Sequence, residues 1–233
     1  MSSNANPSVL LVEDHTAVRL YVASLLSNHG YRVSAAATAE TAKQLAEATQ
    51  PDLYLVDLGL PDADGLHFIA WLRQWTSRPV VVVSGRNDHS QKVQALDAGA
   101  DDYVTKPFDA GELLARLRAH RRRDCAAPPL AQRLRFGDFQ VSLESRKAQR
   151  AGQPVHLTAT QWRLLEVLAR HAHLPVTSET ILRQVWEGTP ADQLHYVRIY
   201  VRQLRLLMEP DPSSPRYLLT EVRIGYRLVP DPD

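Results

Sequence analysis

Two kinds of hydrophobic pattern divide the chain. In the first half, short unbroken apolar runs alternate with longer amphipathic stretches. The runs are Val9-Leu10-Leu11-Val12, Val33 to Ala37, Leu53-Tyr54-Leu55-Val56, Val80-Val81-Val82-Val83 and Tyr103-Val104. A continuous apolar run is what a strand buried on both faces requires, as in a parallel sheet. Between the runs the spacing predicts helices over 16–28, 39–48, 65–75, 88–98 and 109–123. The last opens on a capping-box-like Asp109-Ala110-Gly111-Glu112. Five βα repeats predict a doubly wound α/β domain, with its ligand site at the carboxyl ends of the strands.

After about residue 121 the pattern changes. The stretch Arg121 to Arg133 contains Pro128-Pro129 and reads as a linker. Residues 134–157 alternate apolar and polar, with Gly137, Gly152 and Pro154 as breaks, and predict short antiparallel strands. A capping box, Thr158-Ala159-Thr160-Gln161, opens the first of three helices. The second is expected from Ser178 to Trp186, the third from Asp192 to Glu209, and a final hairpin from Arg216 to Val229. Strands, three helices and a hairpin describe an α+β winged helix-turn-helix. The expected boundaries are 1–123 for the first domain, 124–133 for the linker and 134–233 for the second domain.

Composition narrows the class. Hydrophobic residues make up 44% of the chain and charged residues 23%, enough apolar material for two cores. No run approaches the ~18 apolar residues that span a bilayer, and the N-terminus lacks the charged and apolar regions of a signal peptide. The single cysteine, Cys125, excludes an intrachain disulfide and a cysteine metal cluster. A soluble cytoplasmic protein is expected. The net charge of +1 hides an asymmetry: residues 1–120 hold 10 Lys+Arg against 14 Asp+Glu, whereas residues 130–233 hold 14 against 11. The basic half is the one suited to nucleic acid.

Chemistry converges on the carboxyl edge of the predicted sheet. Glu13 and Asp14 end strand 1, Asp57 ends strand 3, Ser84 ends strand 4 and Lys106-Pro107 ends strand 5. Gathered carboxylates repel unless a cation offsets them, and hard oxygen ligands on short loops suit Mg²⁺. A carboxylate can also attack phosphorus to give an aspartyl phosphate. Lys106 would then neutralise phosphate charge and Ser84 would offer a hydroxyl.

The motifs Leu10-Leu11-Val12-Glu13-Asp14, Val56-Asp57-Leu58-Gly59-Leu60-Pro61-Asp62, Val83-Ser84-Gly85-Arg86 and Tyr103-Val104-Thr105-Lys106-Pro107-Phe108 resemble a receiver domain of two-component signalling. Together with the second half they resemble the OmpR/PhoB family. That resemblance implies phosphorylation of Asp57 by a sensor histidine kinase. It implies Mg²⁺ held by Asp14, Asp57 and the backbone carbonyl of Gly59, with Glu13 acting through water, and Ser84 and Tyr103 as a switch pair. Haloacid-dehalogenase-type phosphatases share the aspartyl nucleophile, but they need a second Asp two residues later. Gly59 stands there, so no enzyme is expected.

The resemblance further implies a homodimer when active, through a face carrying Lys92, Asp97, Asp101, Asp102, Glu112, Arg116, Arg118 and Arg123. Lys92–Glu112 and Asp102–Arg116 are the expected cross-subunit pairs. On the third helix of the second domain, Leu194, Val197, Val201, Leu204 and Met208 form a core stripe. His195, Arg198, Arg202 and Arg205 form a second stripe, with Gln203 beside it, suited to phosphates and base edges of promoter DNA. Arg223 stands where the family's wing often has Gly, and would enter the minor groove. The loop Glu187 to Ala191 is where this family can meet RNA polymerase. The stretches Asp57 to Gly65 and His195 to Tyr200 also look like the regulator of the high-affinity potassium-transport operon.

Overall fold

The structure is a computed structural model that describes residues 6–85, 89–122, 133–186 and 194–231. Arg123, the linker residues 124–132, and the segment 187–193 with the expected polymerase loop lie outside these. The chain forms two compact units, Met1–Leu117 and Arg118–Asp233, each described by itself below.

In the first unit β1 (Ser8–Val12), β2 (Arg32–Ala36), β3 (Leu53–Val56), β4 (Val80–Ser84) and β5 (Asp102–Thr105) form one parallel sheet in the order β2-β1-β3-β4-β5. Five helices alternate with them: α1 (Thr16–Asn28), α2 (Ala39–Thr49), α3 (Gly65–Leu72), α4 (His89–Asp97) and α5 (Ala110–Arg122). Three of the apolar runs are the central strands β1, β3 and β4, buried on both faces, which is why they do not alternate, whereas the run at Val33 is the edge strand β2 and is only partly buried. Val9, Leu11, Leu55, Val81 and Val83 pack with Val22 and Leu26 of α1 and Leu113 and Leu117 of α5. Leu10, Val12, Tyr54, Val56 and Val82, of opposite parity, are equally buried.

Helix α3 stops at Leu72, three residues before the expected end, and its tail continues with Gln74 N–H to Trp71 and Trp75 N–H to Leu72. Arg73, the residue after the helix, ties down the segment that follows. Its guanidinium donates to the carbonyls of Gly99 (2.8 Å), Thr76 (3.2 Å) and Arg78 (2.7 Å) and to Asp101 (2.5 Å). A side chain at Gly99, which has φ +109°, would collide with Arg73.

The second unit begins with a four-stranded antiparallel sheet of consecutive hairpins, β6 (Arg133–Phe136), β7 (Phe139–Ser142), β8 (Lys147–Arg150) and β9 (Gln153–Val155). Helix α6 (Ala159–Arg170) starts on the expected capping box: Thr158 accepts from Gln161 N–H and the Gln161 side chain accepts from Thr158 N–H. Helix α7 (Ser178–Val185) is capped by Thr177, and α8 spans His195–Met208. Strands β11 (Leu218–Glu221) and β12 (Gly225–Leu228) form the hairpin.

One strand was not expected from the pattern. β10 (Pro175–Thr177) pairs with β12, giving a three-stranded sheet in the order β10-β12-β11. It is too short to show alternation. Gly225 permits the pairing, since a Cβ there would lie 2.1 Å from the Val176 carbonyl oxygen.

Candidate functional site

The strand order reverses at β1, between β2 and β3, and such a switch point opens a crevice at the carboxyl ends of the strands. Val12 and Val56 are register partners on β1 and β3, so Glu13-Asp14 and Asp57 leave the sheet side by side. Asp57 N–H bonds the Val12 carbonyl at 2.9 Å. Ser84 and Thr105 are partners on β4 and β5, and Lys106 N–H bonds the Ser84 carbonyl at 2.8 Å. Glu13, Asp14, Asp57, Ser84 and Lys106 are therefore brought to one edge by backbone register alone.

Lys106 organises this edge. Its Nζ lies 2.6 Å from Glu13 Oε2 and 2.6 Å from Asp57 Oδ2, with both carboxylates buried. Burial by itself would lower the lysine pKa. The hydrogen bonds it donates to Asp57 and Glu13, and the charges of those carboxylates, outweigh it and hold Lys106 above its ordinary value. Asp57 Oδ1 accepts the Gly59 N–H at 3.1 Å. Gly65, at the start of α3, has to be glycine, because a Cβ would sit 2.6 Å from the Asp57 carbonyl oxygen.

The donor set fits a hard divalent cation. Glu13, Asp14 and His15 bring one ligating atom each within 4.8 Å of one another, and Asp14 is half-buried. His15 was not expected in this group; its Nδ1 lies 3.5 Å from Asp14 Oδ1. Two further residues escaped the pattern. Arg19 donates to the backbone carbonyls of Glu13 (2.7 Å) and Asp14 (2.8 Å), fixing the acidic turn from one helical turn away. Asp62 accepts from Ala39 N–H (2.9 Å) and Glu40 N–H (3.0 Å), tying the loop after β3 to the start of α2. These amides hold its carboxyl below the ordinary range. Arginine at this offset from an acidic pair is a usable sequence signal; a cap supplied from another loop is not.

Ser84 is buried, and Tyr103 on β5 is buried under Lys92, whose Nζ lies 5.8 Å from the ring centroid. The expected dimer face is only partly a surface. Asp97, Glu112 and Arg118 are exposed and Lys92 is half-buried. Asp101 is fully buried, where it accepts from Arg73 and from Val80 N–H at 3.0 Å, so it does not face outward. The Asp102–Arg116 pair, expected between subunits, closes within one chain: Arg116 is buried, 3.1 Å from both Asp102 oxygens and 2.8 Å from Glu112. A buried guanidinium needs its carboxylates at hand, and β5 and α5 supply them.

In the second unit, α8 buries more than one stripe. Val197, Val201, Leu204 and Met208 are buried as expected, joined by Tyr196, Ile199, Tyr200 and Gln203, whereas Leu194 is half-buried. Trp186 packs on Tyr196 (5.9 Å) and Tyr200 (5.1 Å) and fixes the start of α8. Arg198 and Arg202 are exposed and His195 is half-buried. Gln203 turns inward: its Oε1 accepts from Gln161 Nε2 at 3.0 Å, so it is not on the outward face. Arg205 donates to the Leu218 carbonyl (2.9 and 2.7 Å) and to Thr220 Oγ1 (2.8 Å), which makes it a tether for β11.

Glu209, just beyond α8, is buried and accepts the N–H groups of Arg216 (2.8 Å), Tyr217 (2.9 Å) and Leu218 (2.7 Å). Arg227 bonds Glu221 across the hairpin at 2.6 Å. At its tip Arg223 has φ +64°, the left-handed conformation that glycine adopts without cost, and Val222, Arg223 and Ile224 are exposed.

Residues 9–118 match the response regulator receiver domain, and residues 152–228 match the C-terminal domain of transcriptional regulatory proteins. The chain is 45% identical, over 95% of its length and 99% of the relative's, to the KDP operon transcriptional regulatory protein KdpE of Escherichia coli. It is 46% identical to the transcriptional regulatory protein KdpE of Mycobacterium tuberculosis, over 94% and 97%. Among solved structures, a mutant of RitR shares the fold with a TM-score of 0.78 at 23% identity, over 95% of this chain and 98% of that one. The OmpR/PhoB homologue DrrB of Thermotoga maritima matches with a TM-score of 0.50 at 27% identity, over 95% and 98%. Among the described residues no helix is long and apolar enough to cross a membrane. A receiver half, a DNA-binding regulatory half and relatives aligned along nearly the whole chain place this protein in the OmpR/PhoB family of two-component response regulators.

Proposed function

We propose that Asp57 accepts a phosphoryl group from a sensor histidine kinase and that the phosphorylated protein, as a homodimer, binds promoter DNA through α8 and the β11–β12 wing. The observation that carries this is the buried Glu13–Lys106–Asp57 arrangement, two carboxylates 2.6 Å from one ammonium at the carboxyl edge of the sheet. Transfer forms a bond between an Asp57 carboxylate oxygen and phosphorus and breaks the phosphorus–nitrogen bond of the donor imidazole, which leaves with the electron pair and takes up a proton. Asp14, Asp57 and the Gly59 carbonyl would hold Mg²⁺, with Glu13 acting through water; when bound, the ion offsets the charge of carboxylates and phosphoryl oxygens. Lys106 moves its ammonium from Asp57 to the phosphoryl oxygens, and Ser84 donates its hydroxyl to one of them. Tyr103, buried on the neighbouring strand β5, reports the change to the β5 surface.

Gly59 stands where a hydrolase would place its second carboxylate, which supports an acceptor without turnover of a substrate. For the dimer, Lys92 and Glu112 are the pair proposed to face a partner: Asp101, Asp102 and Arg116 are buried, whereas Glu112, although its Oε1 bonds Arg116, is exposed. His195, Arg198, Arg202 and Arg223 are the proposed DNA contacts. The two KdpE relatives, one of them the regulator of a KDP operon, support potassium-transport genes as the targets; the cytoplasm as location and RNA polymerase as a further partner rest on the family resemblance.

The test is direct. Acetyl phosphate with Mg²⁺ is expected to label the wild type and leave Asp57→Ala unlabelled. Undiminished label in Asp57→Ala would overturn the assignment.

A further inference from the structure

We propose that Leu206 reads the 5-methyl group of thymine, making α8 a helix that selects sequence by apolar contact as well as by cations. This rests on α8 being the helix that enters the major groove. Leu206 is 51% exposed, while Val197, Val201, Leu204 and Met208 on the same helix are buried. At 100° per residue it lies about 180° from Val197, diametrically opposite the core. It lies only about 40° from Arg202 and about 80° from Arg198, the exposed cations. An isolated exposed leucine ordinarily needs no explanation. Here its placement gives it one: the apolar side chain sits in the cationic stripe, on the line that points furthest from the domain core.

The chemistry of the groove narrows what such a side chain can recognise. In the major groove thymine alone presents a methyl group; cytosine presents an amino donor that leucine would desolvate without a partner. Four residues of helix rise, about 6 Å, separate Arg202 from Leu206, close to two base steps of about 3.4 Å. The stripe therefore spans a cation-read or phosphate-anchored position and, about two steps along, a thymine.

Burying one methyl group corresponds to about a fourfold change in affinity. The experiment uses full-length protein with acetyl phosphate and Mg²⁺, and a duplex that the wild type selects from a random pool. Each thymine of that duplex is replaced singly by deoxyuridine, which lacks only the methyl. Wild type is expected to lose about fourfold at one thymine per half-site. Leu206→Ala should bind both duplexes equally, at the wild type's deoxyuridine level, while Leu206→Met keeps the dependence. A wild type indifferent to every replacement, or a penalty that persists in Leu206→Ala, overturns the proposal. Failure of the underlying reading looks different: Arg198→Ala would leave the salt dependence of binding unchanged.

Discussion

The acidic edge of the first unit and the basic face of α8 treat charge in opposite ways. At the edge both signs are inside: Glu13 and Asp57 are buried and bond the same Lys106 ammonium. On α8 one sign faces out, and among the described residues no carboxylate bonds Arg198. A site that neutralises itself responds to a ligand by exchanging partners, so its output is a rearrangement. An exposed row of one sign responds by releasing counterions from a polyanion, so its output is affinity. The first arrangement suits a switch and the second suits a grip.

Substitutions at buried pairs, tethers and exposed cations sharpen this contrast. The largest effect is expected from Arg116→Ala. It removes the buried guanidinium that bonds both Asp102 oxygens and Glu112 and should cost about 3–5 kcal/mol, read as a lower urea midpoint of the receiver transition. Arg205→Ala should cost about 1–3 kcal/mol, because the Leu218 carbonyl loses its donor. It should also leave the salt slope of DNA binding nearly unchanged, whereas Arg198→Ala lowers that slope by roughly one. Equal slopes for the two variants would break the division between tether and contact. Arg223→Gly should raise wing-domain stability by about 1 kcal/mol, since φ +64° no longer strains a side chain, while weakening binding to A·T-rich duplexes.

The smallest effect is confined to alkaline solution. Lys106 has a folded pKa above its ordinary value of 10.5. The stabilisation it brings is fully present below the unfolded pKa and is lost as pH rises through the folded one. Tyr54, pushed up to about 12 by burial, loses stability in the same window and must be subtracted. The Tm of Lys106→Met should therefore fall less than that of the wild type as pH rises above the ordinary lysine value of 10.5. Parallel curves would show that the shared ammonium contributes nothing to folding.

The parallel sheet was legible because its central strands are buried on both faces, which forces unbroken apolar runs such as Val80 to Val83. The acidic site was legible because register aligns the strand ends, so residues after each run must meet. Side-chain direction was less so. Gln203 and Arg205 sit on a helix whose period was read correctly, yet both are claimed by neighbours: Gln161 on α6 and the Leu218 carbonyl on β11. Asp101 and Asp102 are adjacent acidic residues that sequence cannot distinguish from a solvated pair; Arg73 and Arg116, both distant in sequence, bury them. β10 is three residues long and owes its existence to the missing side chain at Gly225.

Glu209 gathers three backbone amides at the root of the hairpin, far from the tip residues Val222 to Ile224. The consequence is evolutionary. A hairpin anchored at its base by these amides keeps that anchorage when the exposed side chains at its apex change. On the proposed reading of the wing as a DNA contact, operator preference would drift by single substitutions in residues 222–224 at little cost to the fold.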